Sequence, residues 1–150
     1  MKPVVFGTKQ PDAIYQERYA VYVIIEDAAH EKIAIIEAPN ASFFLPGGEI
    51  ENEETKEQAL ARELLEEMGV TAEIAGYLGE AAEYFYSRYR KTHYYNPGYF
   101  YFARAFQQVA PPTETTNTIW WVKPEEAQEK LKRKSHRWAV EQWLEVRKQQ

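Results

Sequence analysis

The sequence has no cysteine, which excludes a disulfide framework, a thiolate nucleophile and any cysteine-ligated metal centre. That absence fits a reducing compartment. Long apolar runs are missing too. None approaches the roughly 20 residues of a helical membrane span, and Met1-Lys2-Pro3 does not open a signal peptide. A cytoplasmic location without a membrane partner is the expectation. There is no basic surplus either: 18 Lys and Arg stand against 23 Asp and Glu, for a net charge of −5. General nucleic-acid binding needs a basic patch or stripe, so it is not expected. The three histidines show no zinc-ligand spacing, and no nucleophile elbow, P-loop or dinucleotide fingerprint occurs. With no internal repeat, low-complexity tract or linker, residues 1–150 read as one domain. That length can bury about 68–70% of the unfolded chain's surface.

What is present is concentrated between Gly48 and Val70. This stretch holds eight glutamates against Lys56 and Arg62, a local charge of −6, so the rest of the chain is close to neutral. Its second half reads as a helix. At about 100° per residue, Ala61, Leu64, Leu65 and Met68 fall on one side and Glu63, Glu66 and Glu67 on the other. The three glutamates are spaced i, i+3 and i+4, where like charges destabilise a helix by about 0.2–0.5 kcal/mol per pair. A hard divalent cation that prefers oxygen ligands, Mg²⁺ or Mn²⁺, turns that repulsion into coordination. Thr55 and Gln58 form a capping box at the helix start, and Gly69 is placed to end it. Upstream, Leu45-Pro46-Gly47-Gly48 supplies a loop whose backbone can approach a ligand closely.

From Gly48 the pattern runs Gly, five residues, Glu54, seven residues, then Arg62-Glu63-Leu64-Leu65-Glu66-Glu67-Met68-Gly69-Val70. This 23-residue segment resembles the signature box of the Nudix hydrolases at every fixed position. The resemblance implies an α/β fold, an α/β/α sandwich with a mixed β-sheet. It also implies hydrolysis of a nucleoside diphosphate linked to another moiety. On the matching positions, Glu63, Glu66 and Glu67 are implied ligands of Mg²⁺ or Mn²⁺ and catalytic residues, and the Gly48 carbonyl is a further ligand. Glu54 and Arg62 are implied to pair and hold the loop against the helix, a structural role. The general base is left open among the box glutamates and a carboxylate outside it, for which Glu114 is a candidate.

A second stretch, Tyr84 to Phe102, interleaves rings with Arg88, Arg90, Lys91 and His93. Aromatic faces stack on bases and arginine neutralises phosphate, so Arg88 and Arg90 are expected substrate contacts. The loop from Ser87 to Asn96 is expected to meet substrate or a second copy of the chain, with the rings of 99–106 as sheet core. Strands are expected at 18–26, 33–36, 43–45, 71–86 (interrupted by Gly76 and Gly79), 99–106 and 119–122, with a turn at Pro97-Gly98. Helices are expected at 55–68 and 124–131, and a last one, capped by Ser135, carries Trp138, Ala139, Trp143 and Val146 inward.

The leading expectation is a metal-dependent hydrolase of a small nucleoside diphosphate derivative. Candidate substrates span damaged nucleoside triphosphates, nucleotide sugars, dinucleoside polyphosphates and capped RNA ends. The alternative is a non-catalytic sensor on the same scaffold, disfavoured because all three box glutamates are present. An isoprenoid diphosphate isomerase on this scaffold is disfavoured because the resemblance implies a cysteine that the chain lacks.

Overall fold

The structure, a computed structural model, describes residues 4–149; Met1-Lys2-Pro3 lie outside the described residues. In chain order the elements are β1 (Val4–Phe6), β2 (Tyr15–Glu17), β3 (Ala20–Ile25), β4 (Ile33–Glu37), β5 (Phe43–Phe44), β6 (Gly47–Glu49) and α1 (Lys56–Glu67). They continue as β7 (Val70–Ser87), β8 (Thr92–Gln108), β9 (Thr118–Val122), α2 (Pro124–Lys130) and α3 (Lys134–Lys148).

The β-branched runs of β3 and β4 are buried on both faces, and their period-2 alternation separates two cores. Val21, Val23, Ile25, Ala34 and Ile36 pack with Ala59, Leu60, Leu64 and Met68 of α1. Ile24, Ile33 and Ile35 pack with Ala127 of α2 and with Ala139, Val140 and Trp143 of α3. Helices therefore cover both faces. The main sheet runs β1-β7-β8-β3-β6 with β2 also on β8, and a smaller sheet runs β5-β4-β9. β8 pairs parallel with β2 and β3 but antiparallel with β7, so the sheet is mixed. This is the expected α/β/α sandwich. No described helix is long and apolar enough to cross a membrane.

Three local expectations change. Pro97-Gly98 is not a turn; both residues lie inside β8, and the hairpin reverses at residues 88–91. The reason is visible on the other edge of β8. β2 and β3 follow one register along it, Tyr15↔His93 to Glu17↔Tyr95 and then Ala20↔Gly98 onward. The ladder lapses only at Arg18 and Tyr19. Pro97 has no N–H to give there, and the Asn96 side chain bridges the gap by donating to the Arg18 carbonyl at 2.6 Å. Likewise, Gly76 and Gly79 do not interrupt β7 but sit at register shifts within it. Gly76 leaves room for the Phe102 ring, 2.5 Å from where a Cβ would stand.

Ser135 does not cap α3 from outside. Arg133 is the cap residue and makes no side-chain cap bond. The Ser135 N–H and hydroxyl instead both donate to Glu83 Oε1, each at 2.8 Å. A buried carboxylate from β7 thus meets the positive end of the helix dipole. Ala139 and Trp143 are core residues as expected, and Phe100 and Tyr101 of β8 are buried on opposite faces of the sheet.

Candidate active site

The ends of α1 are fixed by the residues that the sequence marks. Thr55 Oγ1 accepts from the Gln58 N–H at 3.1 Å, and Gln58 Oε1 accepts from the Thr55 N–H at 2.9 Å. At the other end Gly69 takes φ +68°, and a Cβ there would meet the Ala110 carbonyl. Gln108, not expected from sequence, donates from Nε2 to the Met68 carbonyl at 2.7 Å and the Ala110 carbonyl at 2.8 Å.

The rotation of α1 differs from the expected one. Leu64 and Met68 point inward, but so do Ala59 and Leu60, while Ala61 and Leu65 face outward. Glu67 lies about 20° from Leu60 in projection at 100° per residue, so it shares the inward face and is buried. Its depth is made tolerable by the glycine loop. Gly47, at φ +142°, is so close to β3 that a Cβ would meet the Val21 carbonyl, and its N–H donates to Glu67 Oε1 at 2.8 Å. Glu63 lies one turn before Glu67, against Gly48. A Cβ on Gly48 would stand 2.6 Å from the Glu63 carboxyl carbon. Gly48 is thus the space that the Glu63 carboxyl uses. Gly48→Ala is expected to displace that carboxyl and cut turnover at least tenfold with little change in melting temperature, checked by steady-state assay and thermal unfolding.

Arg62 ties the loop to the helix. Its Nε and Nη2 donate to the two oxygens of Glu54 at 2.7 and 3.0 Å, and Nη2 also reaches the Glu49 carbonyl at 2.9 Å. Nη1 lies 3.0 Å from Glu63 Oε1 and 3.3 Å from Glu66 Oε2. The guanidinium holds the Glu54 carboxyl below the usual carboxylate range. The other two carboxylates behave oppositely. Burial pushes Glu63 up to about 7, against the pull of Arg62. Burial also pushes Glu67 well above its ordinary value, outweighing the Gly47 N–H. Glu66 is the most solvent-accessible of the three, with 42% of its side chain exposed against 14% for Glu63. Glu114 is exposed but near: its N–H donates to the Glu66 carbonyl at 2.8 Å, and its charge adds to the rise at Glu63 and Glu67.

Glu63 and Glu66 thus share Arg62 Nη1, while Glu67 is held by the Gly47 N–H. Among the described residues, no three His, Cys, Asp or Glu side chains are already gathered as a ready ligand set. The donor chemistry nonetheless fits a hard cation. All donors are oxygens, and burial outweighs Arg62 at Glu63 and the Gly47 N–H at Glu67.

Arg88 and Arg90 stand exposed in the hairpin turn. They do not border the cavity of about 190 Å³ that opens beside Gly48. Phe85 does, and at about 3.3 Å per residue Arg88 is some 10 Å further along the chain, past the end of β7. The arginines that do border the cavity are Arg18 and Arg133. Sequence reasoning missed both, because they are far from the signature segment and Arg133 is lost in the basic run from Lys130 to Lys134.

A family model described as the NUDIX domain matches residues 16–144. Many solved structures match the fold. The solution structure of the E. coli ORF135 protein is similar at TM-score 0.65 and 23% identity, covering 89% of this chain and 92% of that one. The crystal structure of a MutT NUDIX hydrolase from Burkholderia pseudomallei is similar at TM-score 0.60 and 26% identity, covering 85% and 98%. The E. coli dihydroneopterin triphosphate pyrophosphohydrolase is similar at TM-score 0.61 and 19% identity, covering 86% and 96%. No curated protein matches this chain.

Proposed function

This chain belongs to the NUDIX family, and from that premise we propose that it is a single-domain, metal-dependent pyrophosphohydrolase. Its substrate is a small nucleoside diphosphate derivative, and its site is built on Glu63, Glu66 and Glu67. The observation that carries the reading is the pair of carboxyls, Glu63 and Glu67, sunk beside Gly47 and Gly48 with their pKa values raised by burial. Perturbed carboxyls in such a setting are a signature of working sites. Names among the structural neighbours agree in kind: one is a triphosphate pyrophosphohydrolase and another, from C. elegans, an Ap4A hydrolase.

Glu63, Glu66 and Glu67, with the Gly48 carbonyl, would hold Mg²⁺ or Mn²⁺. Such an ion supplies charge neutralisation on phosphate oxygens and a more acidic water. The protein's own part is positional. The Gly47 N–H fixes one oxygen of Glu67, so the other is left to face the site. Gly48 leaves the Glu63 carboxyl room beside the loop. The general base is Glu66, a reading supported by its exposure at the rim, with Glu114, whose N–H donates to the Glu66 carbonyl, as the other candidate. Arg62 and Glu54 keep loop and helix in register, a structural role.

The test is a panel of nucleotide derivatives incubated with Mg²⁺ or Mn²⁺, with products identified by mass. Metal-dependent release of phosphate, pyrophosphate or a nucleoside monophosphate is expected from at least one class. Calorimetric binding of panel members without any product would make the chain a sensor and overturn the proposal.

A further inference from the structure

Among the described residues, no helix covers the part of the main sheet where β2, β7 and β8 gather their tyrosines. Alternation along β8 puts His93, Tyr95 and Tyr99 on the same face as Tyr101, the face on which α1 packs. But α1 begins only at Lys56, whose Nζ lies 4.0 Å from the centroid of the Tyr99 ring. From there toward the hairpin turn the surface is tiled with rings. Tyr84 meets Tyr95 at 4.7 Å, Tyr15 meets Tyr84 at 5.1 Å and Tyr86 meets His93 at 4.7 Å. The α2 and α3 helices pack on the opposite face. Tyr77 and Tyr86 are about half exposed, and Tyr89, in the turn, almost wholly so. A continuous exposed surface rich in aromatic rings marks an interaction site.

The two ends of this face carry opposite charge. Glu53 and Glu57 stand exposed at the start of α1, and Arg88, Arg90 and Lys91 stand exposed in the turn. Among the described residues, none of these five enters an ion pair. Carboxylates also stand within the rings, Glu17 in register with Tyr95 and Glu80 with Tyr99. They repel a phosphate backbone, so a single-stranded nucleic acid, which needs rings in a positively charged groove, is a poor occupant.

A second copy turned end for end answers both features. From Tyr77 to Ser87 the face is about 33 Å long, and its midpoint is Ala82. A two-fold axis crossing the strands there lays rings on rings. It also sets Arg88 and Arg90 of each copy against Glu53 and Glu57 of the other, one contact made twice, as an isologous interface requires. The two Glu80 carboxylates stay about 13 Å apart along the strands, beyond the screening length of about 8–10 Å.

We propose that the chain forms a reversible homodimer through this tyrosine face, the strands of the two copies antiparallel and the turn of each seated on the acidic start of the other's α1. Three strands make the face only about 14 Å wide, which places the interface at the small end of the specific range, below about 1,200 Å² in total. The dimer therefore dissociates on dilution.

Sedimentation velocity of the full chain from about 1 to 200 μM reads the equilibrium. The wild type is expected to pass from monomer to dimer across that range. Arg88→Glu/Arg90→Glu is expected to weaken self-association about tenfold or more, and Glu53→Lys/Glu57→Lys likewise, since each puts like charges together. Mixed one to one, the two variants are expected to regain the lost affinity as a heterodimer, because every turn then meets opposite charge again. Tyr77→Ser/Tyr86→Ser, at exposed positions, is expected to weaken the dimer with little change in melting temperature. A wild type that stays monomeric throughout would overturn the proposal, and one that stays monomeric yet binds an oligothymidine strand would give the face to nucleic acid instead. Dimerisation untouched by both charge variants, or a mixture that does not recover, would also overturn it. If a charge variant does not fold, the tyrosine variant decides, and an unchanged dimer affinity there overturns the proposal. No turnover is read, so the outcome is independent of the hydrolase reading.

Discussion

Glu67→Gln is expected to lower metal-dependent turnover by about 10²–10⁴-fold, the range for a positioned carboxylate acting on proton or charge, while leaving the fold intact or firmer. Glutamine keeps the shape and the oxygen that accepts from the Gly47 N–H. What it removes is an ionisable group that burial disfavours in its charged form. Without metal, that charge is a liability: buried carboxyls resist ionising in a low-dielectric setting. The melting temperature of the metal-free variant should therefore equal or exceed the wild type, and addition of Mg²⁺ should raise it less. Steady-state kinetics and thermal unfolding in EDTA and in Mg²⁺ check both halves. Loss of activity accompanied by a comparable loss of stability would mark Glu67 as a structural acid and no more.

Arg62→Ala acts the other way round. The bidentate pair with Glu54 is part-buried, with 23% and 19% of the two side chains exposed, and the same guanidinium holds the Glu49 carbonyl and faces Glu63 and Glu66. Breaking a fully buried pair costs about 3–5 kcal/mol because a charge is left without its partner. Partial exposure reduces that to about 2–3 kcal/mol, since water screens what remains. The predicted fall in melting temperature is about 4–12 °C for a chain of this size. Arg62→Lys should recover little of it, because an ammonium cannot bond both Glu54 oxygens in a planar fork. Denaturant unfolding in EDTA measures the effect. A loss under about 0.5 kcal/mol would show that the loop is held by its backbone bonds alone.

The parts legible in the sequence are those fixed by local chemistry. Thr55, Gln58 and Gly69 act within one turn of the helix that they delimit, and the Gly48–Val70 pattern names its own neighbours. What stayed hidden depends on partners distant in the chain. Ser135 looks like a cap until Glu83 arrives from β7. Pro97-Gly98 looks like a turn until β2 and β3 are seen to change over opposite it. The rotation of α1 was misjudged because Ala61 and Leu65 are apolar yet face outward, whereas Glu67 is charged yet buried against a glycine loop. Arg88 and Arg90 drew attention by sitting among rings, but those rings pair with each other across the hairpin, Tyr84 with Tyr95 and Phe85 with Tyr94. The cavity took its cations from Arg18 and Arg133.

The most direct measurement is a Mn²⁺ titration of the wild type and of the Glu63→Gln/Glu66→Gln/Glu67→Gln triple variant, read by calorimetry and by the paramagnetic spectrum of free Mn²⁺. The wild type should take up the ion and release protons on doing so near pH 6, since Glu63 must ionise from a value raised to about 7. The triple variant, still folded, should leave the ion in solution. Equal uptake by both proteins would contradict the account at its root.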